Sequence, residues 1–524
     1  MNLRKVLILA STLCILANSA NAKSVWINRL RSDFLNHSTS IYAINLRTFN
    51  ANDKNENGII EFDKGEWSGT FLNAINRLDE LKQEKVTAIH LLPITPVGKM
   101  KALGTAGSLY ATADFKSLNP QLKENNSKLT IEEQARKFIT AAHDRGIAVI
   151  VDVPGFASYD MFLQRPELFV KDASGQPVIP LDWTDVRLLD AGTETRVNPD
   201  VLKLYKDYAD YMMELGVDGI RVDVASAKPA KFWKELIDYT RKSDREFLWL
   251  AESSNSWNDT VSDKSVFTPY DKLLAAGFDG YYGSYFNLKT WTSAKDLQKQ
   301  VNLDLSLSKK IGTPKSVIGS FTTHDELSPI LEKGVEYSRM IMWLNATLPI
   351  NAYAVDGFQT GDKYVYQWAN KQAPKTYTDD DIYFVHKGKI DIFNFSRKPG
   401  GAYKELQEEY AHSNMLKTIA NNIYKTGTFK FLKTNSDKVF AYAVYDNHQT
   451  ILVIGNLDFN SEIIAKIRVP NIKKGQTGLP LIMQNSPEIN NGNIVADLTP
   501  GEIQVILFNE FSLSKTAKNN IYGF

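Results

Sequence analysis

Arg221, Asp223, Glu252, His324 and Asp325 are the residues of this chain best placed to do acid–base chemistry together. Each stands in or just beyond an apolar, strand-like run, as does Asp152. Arg221 precedes Asp223 by two, the side-chain period of a strand, so guanidinium and carboxylate share a face. A fixed positive charge there favours the ionised acid. Carboxyl groups so placed can exchange protons with a bound substrate. The alternative is a buried ion-pair network, since buried charges must pair in any case. A second cluster is Asp53-Lys54-Asn55-Glu56-Asn57-Gly58-Ile59-Ile60-Glu61. Its alternating oxygen-bearing side chains, with Gly58 at a tight turn, suit Ca²⁺. The twelfth position is Lys64 rather than Glu, which argues against an EF-hand. A solvated Asn/Asp turn is the plain reading of the same residues.

The elements that must position these groups alternate. Ile41–Leu46, Val86–Leu91, Ile147–Val153, Val217–Val224 and Phe247–Ala251 read as strands, with Ser316–Phe321 and Thr347–Tyr353 as later candidates. Phe71–Lys82, Ile131–Asp144, Val201–Leu215 and Lys231–Arg241 read as helices, the third stopped by Gly216. Repeated strand–helix units predict a parallel sheet with helices outside. Eight would close a (β/α)8 TIM barrel, whose strand C-termini form one face where the scattered acids meet. A doubly wound open sheet is the alternative. Between Pro154 and Val197, after the third strand, the rhythm lapses, and Pro166, Gly175, Pro177, Pro180 and Trp183 predict an irregular insertion that builds one wall of a site. Beyond Phe429 short strands separated by Asn/Asp/Gly turns predict a C-terminal antiparallel β-sandwich. The expected division is a signal peptide over 1–22, a catalytic barrel over 23–425 including the insertion 154–197, and the sandwich over 426–524.

Three fragments in order resemble the signatures of the α-amylase family, glycoside hydrolase family 13: Gly216-Val217-Asp218-Gly219-Ile220-Arg221-Val222-Asp223, then Trp249-Leu250-Ala251-Glu252, then Phe321-Thr322-Thr323-His324-Asp325. The resemblance implies a retaining glycosidase acting on α-glucans or maltooligosaccharides. Such chemistry uses two carboxyl groups about 5–5.5 Å apart. By that resemblance Asp223 is the nucleophile, Glu252 the acid and then the base, and Asp325 a third carboxylate gripping sugar hydroxyls. Arg221 would keep Asp223 ionised, and burial beside that charge would keep Glu252 protonated. His324 would bond the sugar on the non-reducing side of the cleavage point. Gly107–Phe115 resembles the family segment after the second strand, where Tyr110 would stack on a sugar ring and Asp114 would support the loop; a core tyrosine is the alternative. The 53–61 loop is similar to one after the first strand in many members, implying structural calcium held by Asp53, Asn55, Asn57, the Ile59 carbonyl and Glu61.

Two departures matter. After Asp152 the family's Asn-His positions hold Phe156 and Ala157, and after Asp223 its Lys-His pair is replaced by Ser226-Ala227. Acceptor recognition is therefore expected to differ from that of a starch-degrading amylase, and Lys228 is one replacement to consider. A transferase of the same family and a non-catalytic carbohydrate-binding relative both remain as alternatives.

Composition excludes several classes. Lys+Arg number 61 against Asp+Glu 60, which argues against a nucleic-acid partner. Arg4 and Lys5, the apolar run Val6–Ala17 and Ala20-Asn21-Ala22 predict a cleaved signal peptide, hence a secreted or periplasmic protein with no membrane association after cleavage. A retained anchor is the alternative. The single cysteine, Cys14, falls in that leader, so the mature chain would have no thiol chemistry. The histidines outside the motif form no close pairs, which argues against zinc. A cluster of Tyr364, Tyr366 and Trp368 reads as sugar-stacking or core. A monomer is expected.

Overall fold

The computed structural model describes residues 26–52, 54, 60–102, 107–180, 183–257, 267–362, 403–469, 478–482, 488–490 and 493–509. The leader, most of the calcium-loop candidate and the Tyr364–Trp368 cluster lie outside the described residues.

Eight parallel strands form one sheet: β1 (Ser40–Ile44), β2 (Ala88–Leu91), β3 (Ala148–Val153), β4 (Gly219–Val222), β5 (Leu248–Ala251), β6 (Gly280–Tyr282), β7 (Ser316–Ile318) and β8 (Ala352–Val355). Sequential strands pair from β1 through β7, and β8 pairs with β1. One parallel bridge, Ile318 to Asn351, joins β7 to β8. The sheet is a nearly closed TIM barrel, not an open doubly wound sheet. Side chains alternate as the pleat requires. Ile41, Ala43, Ala88, Ile150, Leu248 and Tyr353 pack inside the barrel. Tyr42, Ile89, Val149, Ile220, Trp249 and Val317 face the helices.

The crossovers include α1 (Ile131–His143), α2 (Pro199–Leu215), α3 (Ala230–Ser243), α4 (Tyr270–Ala276), α5 (Ala294–Ile311) and α6 (Val335–Thr347), and α7 (Lys404–Thr426) follows the eighth strand. Thr130 and Glu133 form a capping box at the start of α1, and Gly216 at φ 100° ends α2 in the left-handed conformation that favours glycine. The single helix expected over Phe71–Lys82 is broken: Phe71–Ala74 and Leu78–Gln83 flank a 3₁₀ turn at Ile75–Arg77. There Arg77 turns inward to Asp356, 3.0 Å away. The strand expected over Thr347–Tyr353 is also corrected. Thr347 completes α6, its hydroxyl bonded to the Trp343 carbonyl, and the strand begins at Ala352. A short helix, Leu30–Leu35, places Leu30 and Phe34 in the inner barrel cluster.

The insertion after β3 carries a helix, Tyr159–Gln164, and a two-residue ribbon pairing Ala157–Ser158 with Val186–Arg187. C-terminal strands β9 (Thr428–Phe431), β10 (Val439–Tyr445), β11 (Gln449–Asn456), β12 (Ile463–Arg468), β13 (Leu479–Pro480), β14 (Glu488–Asn490), β15 (Asn493–Leu498) and β16 (Ile503–Asn509) form two antiparallel sheets. Their orders are β9-β10-β11-β16-β13 and β12-β15-β14. Val439, Leu452 and Phe508 of one sheet bury against Ala465, Ile494 and Leu498 of the other.

Candidate active site

The inward-facing rows of the barrel run beyond their apolar layers into charge. Counting by twos along β3, Ala148 and Ile150 lead to Asp152; along β5, Leu248 and Leu250 lead to Glu252; on β4, Arg221 leads to Asp223. Arg221 is fully buried at the centre. One terminal nitrogen lies 2.8 Å from Asp152 Oδ1 and 3.4 Å from Asp223 Oδ1, and the other lies 2.7 Å from Glu252 Oε1. Its Nε donates to the Tyr282 hydroxyl at 3.2 Å. Four separated stretches of sequence thus converge on one guanidinium.

Backbone groups hold the other carboxylate oxygens. The Gly155 N–H donates to Asp223 Oδ2 at 2.9 Å, and the Val224 N–H donates to Glu252 Oε2 at 2.7 Å. Only glycine fits at 155: a Cβ would sit 2.4 Å from the Asp223 carbonyl oxygen. Val224 has φ 41°, a left-handed conformation that is costly for a β-branched residue. That turn aims its N–H at Glu252.

The Tyr110 hydroxyl donates to Asp152 Oδ2 and lies 2.7 Å from His324 Nε2. A hydroxyl has one proton, so Nε2 must carry its own and donate to the Tyr110 oxygen. The two rings stack at 5.8 Å, 12° apart. His324 Nε2 is also 3.5 Å from Asp325 Oδ2. His90 completes the cluster, with Nδ1 2.9 Å from the Tyr353 hydroxyl and Nε2 3.4 Å from Asp152 Oδ2.

Burial, then the charge of Glu252, push the Asp223 carboxyl well above the usual range, against the pull of Arg221. That direction runs against the expectation that Arg221 alone keeps Asp223 ionised. Burial, then Glu252, bring Asp325 to about 8. Burial likewise raises Asp152, but Arg221 and His90 outweigh it and hold that acid below its ordinary value. Burial and the Arg221 charge keep His324 neutral.

Asp223, Glu252, His324, Asp325 and Tyr110 line a cavity of about 260 Å³ together with Ser108, Phe156, Trp183, Asp185, Ser226 and Trp257. Arg221, expected among the substrate-binding residues, lies beneath this cavity and touches the acids. Asp114 lies outside it, exposed, accepting from the Lys116 N–H and the Ser117 hydroxyl. Lys228 does not replace the missing acceptor-side pair. Fully buried, it turns under the floor to donate to the Gly155 carbonyl and stands over the Tyr205 ring at 4.9 Å. Of the five expected calcium ligands only Glu61 is described, and its carboxylate meets Lys64 at 2.5 Å. Among the described residues no group of three or more His, Cys, Asp or Glu could hold a metal ion, and no helix is long and apolar enough to cross a membrane.

The insertion forms a wall of the cavity as expected, with Trp183 in the lining, whereas sequence reasoning missed His90, Tyr282, Asp185 and Trp257. Alternation from Ala88 places His90 inside β2, a usable signal. β6 is only three residues long, too short to pattern, and the insertion has no period to read.

No family model matches the chain. It is 22% identical over 424 residues to an alpha-1,4-glucan:maltose-1-phosphate maltosyltransferase of Picrophilus torridus, covering 77% of this chain and 61% of that protein. It is 22% identical over 501 residues to a beta/alpha-amylase of Paenibacillus polymyxa, covering 89% and 37%. The chain thus spans less than two thirds of the length of these curated relatives. Among solved structures, an alpha-amylase from Lactobacillus plantarum superposes with TM-score 0.65 at 18% identity, covering 90% of this chain and 99% of that one. A maltogenic alpha-amylase from Thermotoga neapolitana gives 0.65 at 17%, covering 91% and 99%. In its sequence relatives and in its barrel the chain is thus similar, at low identity throughout, to the α-amylase family, glycoside hydrolase family 13.

Proposed function

We propose that the chain is a retaining α-glycoside hydrolase acting on α-linked glucose oligosaccharides and polysaccharides. The observation that carries this reading is the single Arg221 guanidinium ion-paired with both Asp223 and Glu252 beneath a cavity that these two acids and Asp325 line. In the first step Glu252 protonates the glycosidic oxygen as the bond from C1 breaks, and Asp223 attacks C1 to form a glycosyl ester. In the second, Glu252 takes a proton from water, whose oxygen attacks C1 and releases Asp223. Two inversions retain configuration. Arg221 and the Gly155 N–H hold the nucleophile's two oxygens in place, leaving little to reorganise as charge moves.

Transfer to a sugar acceptor is the second reading. Maltosyltransferases stand among the sequence relatives, and Phe156, Trp183 and Ser226 line the cavity of a chain that lacks the family's Lys-His pair. A sugar hydroxyl would then displace the ester in place of water.

Maltooligosaccharide incubation followed by reducing-end and chain-length analysis separates the readings. Hydrolysis raises reducing ends; transfer redistributes lengths without that rise. Glu252→Gln should lower turnover by about 10²–10⁴-fold, and Asp223→Asn should abolish the ester. Wild type and variants equally inert on α-glucans that they nevertheless bind would leave a non-catalytic binding protein.

A further inference from the structure

A groove of about 930 Å³ lies on the β1 and β2 loops, apart from the residues that line the catalytic cavity. Both loops leave the C-terminal ends of their strands, and the β2 loop also carries Tyr110, so groove and cavity open on one face. Two large aromatics line the groove without being covered: Phe62 is 69% exposed and Trp67 46%. Apolar rings left in water at the edge of a polar groove call for a ligand with an apolar face. The indole is held in place, its N–H donating to the Asn50 carbonyl at 3.1 Å. Asn50 in turn donates to the Asn73 carbonyl at 2.7 Å, and Asn73 closes a capping box with Thr70. The Thr70 hydroxyl reaches across to Glu124 Oε2 at 3.0 Å, tying the two loops together. The platform is therefore built before any ligand arrives.

The rest of the lining specifies chemistry. Asn76, Gln121, Asn125 and Asn126 present side-chain amides that no group among the described residues engages. Each amide offers donors and an acceptor, the pairing that vicinal hydroxyls need. The charges balance, Arg47 and Lys123 against Glu66 and Glu124, which argues against a strongly charged ligand. Aromatic faces beside neutral amides suit a pyranose, whose C–H face stacks while its hydroxyls bond at the edge. We propose that this groove is a second carbohydrate site, taking a neutral α-glucan chain at a distance from the bond being cut. The choice of α-glucan rests on the function proposed above; the neutral pyranose does not.

The test is retention of the full chain in native gels containing glycogen, in a Glu252→Gln background so that turnover does not remove the ligand. Phe62→Ala and Trp67→Ala should each weaken retention by about tenfold, and Gln121→Ala, which touches no ring, should weaken it as well. Melting temperatures within a degree or two of the parent establish that the variants fold. Retention unchanged in all three, or a parent that glycogen does not retard, overturns the groove as a glucan site. Parallel gels containing a β-glucan decide the linkage: equal retention there overturns the α-glucan assignment. Turnover of maltotriose by the wild type reports separately on the catalytic reading. If it is absent while Phe62→Ala and Trp67→Ala still lose glycogen retention, the groove stands and the hydrolase falls.

Discussion

Lys228 does not line the cavity, yet its loss should disturb Asp223, the proposed nucleophile. Its ammonium donates to the Gly155 carbonyl, the Tyr205 hydroxyl donates to the Pro154 carbonyl at 2.8 Å, and the Gly155 N–H between them holds Asp223. Removing the ammonium frees the turn that aims that N–H. Lys228→Met should lower kcat by about tenfold or more with little change in KM, because a misaimed group costs rate rather than binding; a fall in KM-limited binding alone would contradict the positioning role. Asp325 gives a second test, by pH. Its folded-state pKa is raised to about 8, so from roughly pH 4 to 8 the native chain holds a proton that the unfolded chain has released. That stabilisation is complete below the unfolded pKa and is lost as pH rises through about 8. Asp325→Asn removes the dependence, so its melting temperature relative to wild type should climb between pH 5 and 9. A constant offset would mean that Asp325 does not titrate there.

At the scale of elements, the turn after β3 is set by one missing side chain. A Cβ at 155 would strike the Asp223 carbonyl at 2.4 Å. Gly155→Ala should destabilise by about 1–3 kcal/mol and reduce turnover further than Lys228→Met does, as read by thermal melting and kcat. Long elements were legible in the sequence because periodicity has room to show: β3, α1 and α2 sit within two residues of their expected bounds. So were the motif acids, since strand alternation carries them inward from apolar neighbours. The insertion was legible only as one wall of a site, which Trp183 does line; Asp185 was not, because the insertion reaches the cavity through tertiary packing that leaves no local period. The Lys228 side chain was not legible for a related reason: spacing says that a cation follows Asp223, and only the 3₁₀ turn at Ala225–Ala227 sends it below the floor. If Asp53, Asn55, Asn57, the Ile59 carbonyl and Glu61 bind Ca²⁺, chelation should lower the melting temperature of wild type but not of Asp53→Ala, with about 2.7 kcal/mol of stabilisation at a hundredfold excess of ion over Kd. Equal melting with and without chelator would remove that loop.

For the whole molecule the question is whether barrel and sandwich unfold together. The β9–β10–β11–β16–β13 sheet has two buried faces. One packs on the smaller sheet; the other presents Phe440, Tyr442, Val444, Ile451, Val453 and Leu507 to the same continuous cluster that lies under the barrel helices. At the centre of that contact the Tyr442 hydroxyl lies 2.6 Å from Thr347 Oγ1 at the end of α6, and α7 runs from the barrel directly into β9. An inter-domain contact that is large and apolar couples its partners, whereas a small polar one lets them move and melt apart. Calorimetry should therefore show one endotherm whose van't Hoff and calorimetric enthalpies agree. Leu507→Asp, which places a charge on the shared face, should split or broaden it and lower the barrel's own transition, because the sheet face that covers α6 is lost. The same charge at Ile464, 56% exposed on the outer sheet, should do neither. Two resolved transitions in the wild type would mean that the shared cluster is contact without coupling, and that the barrel supports its cavity alone.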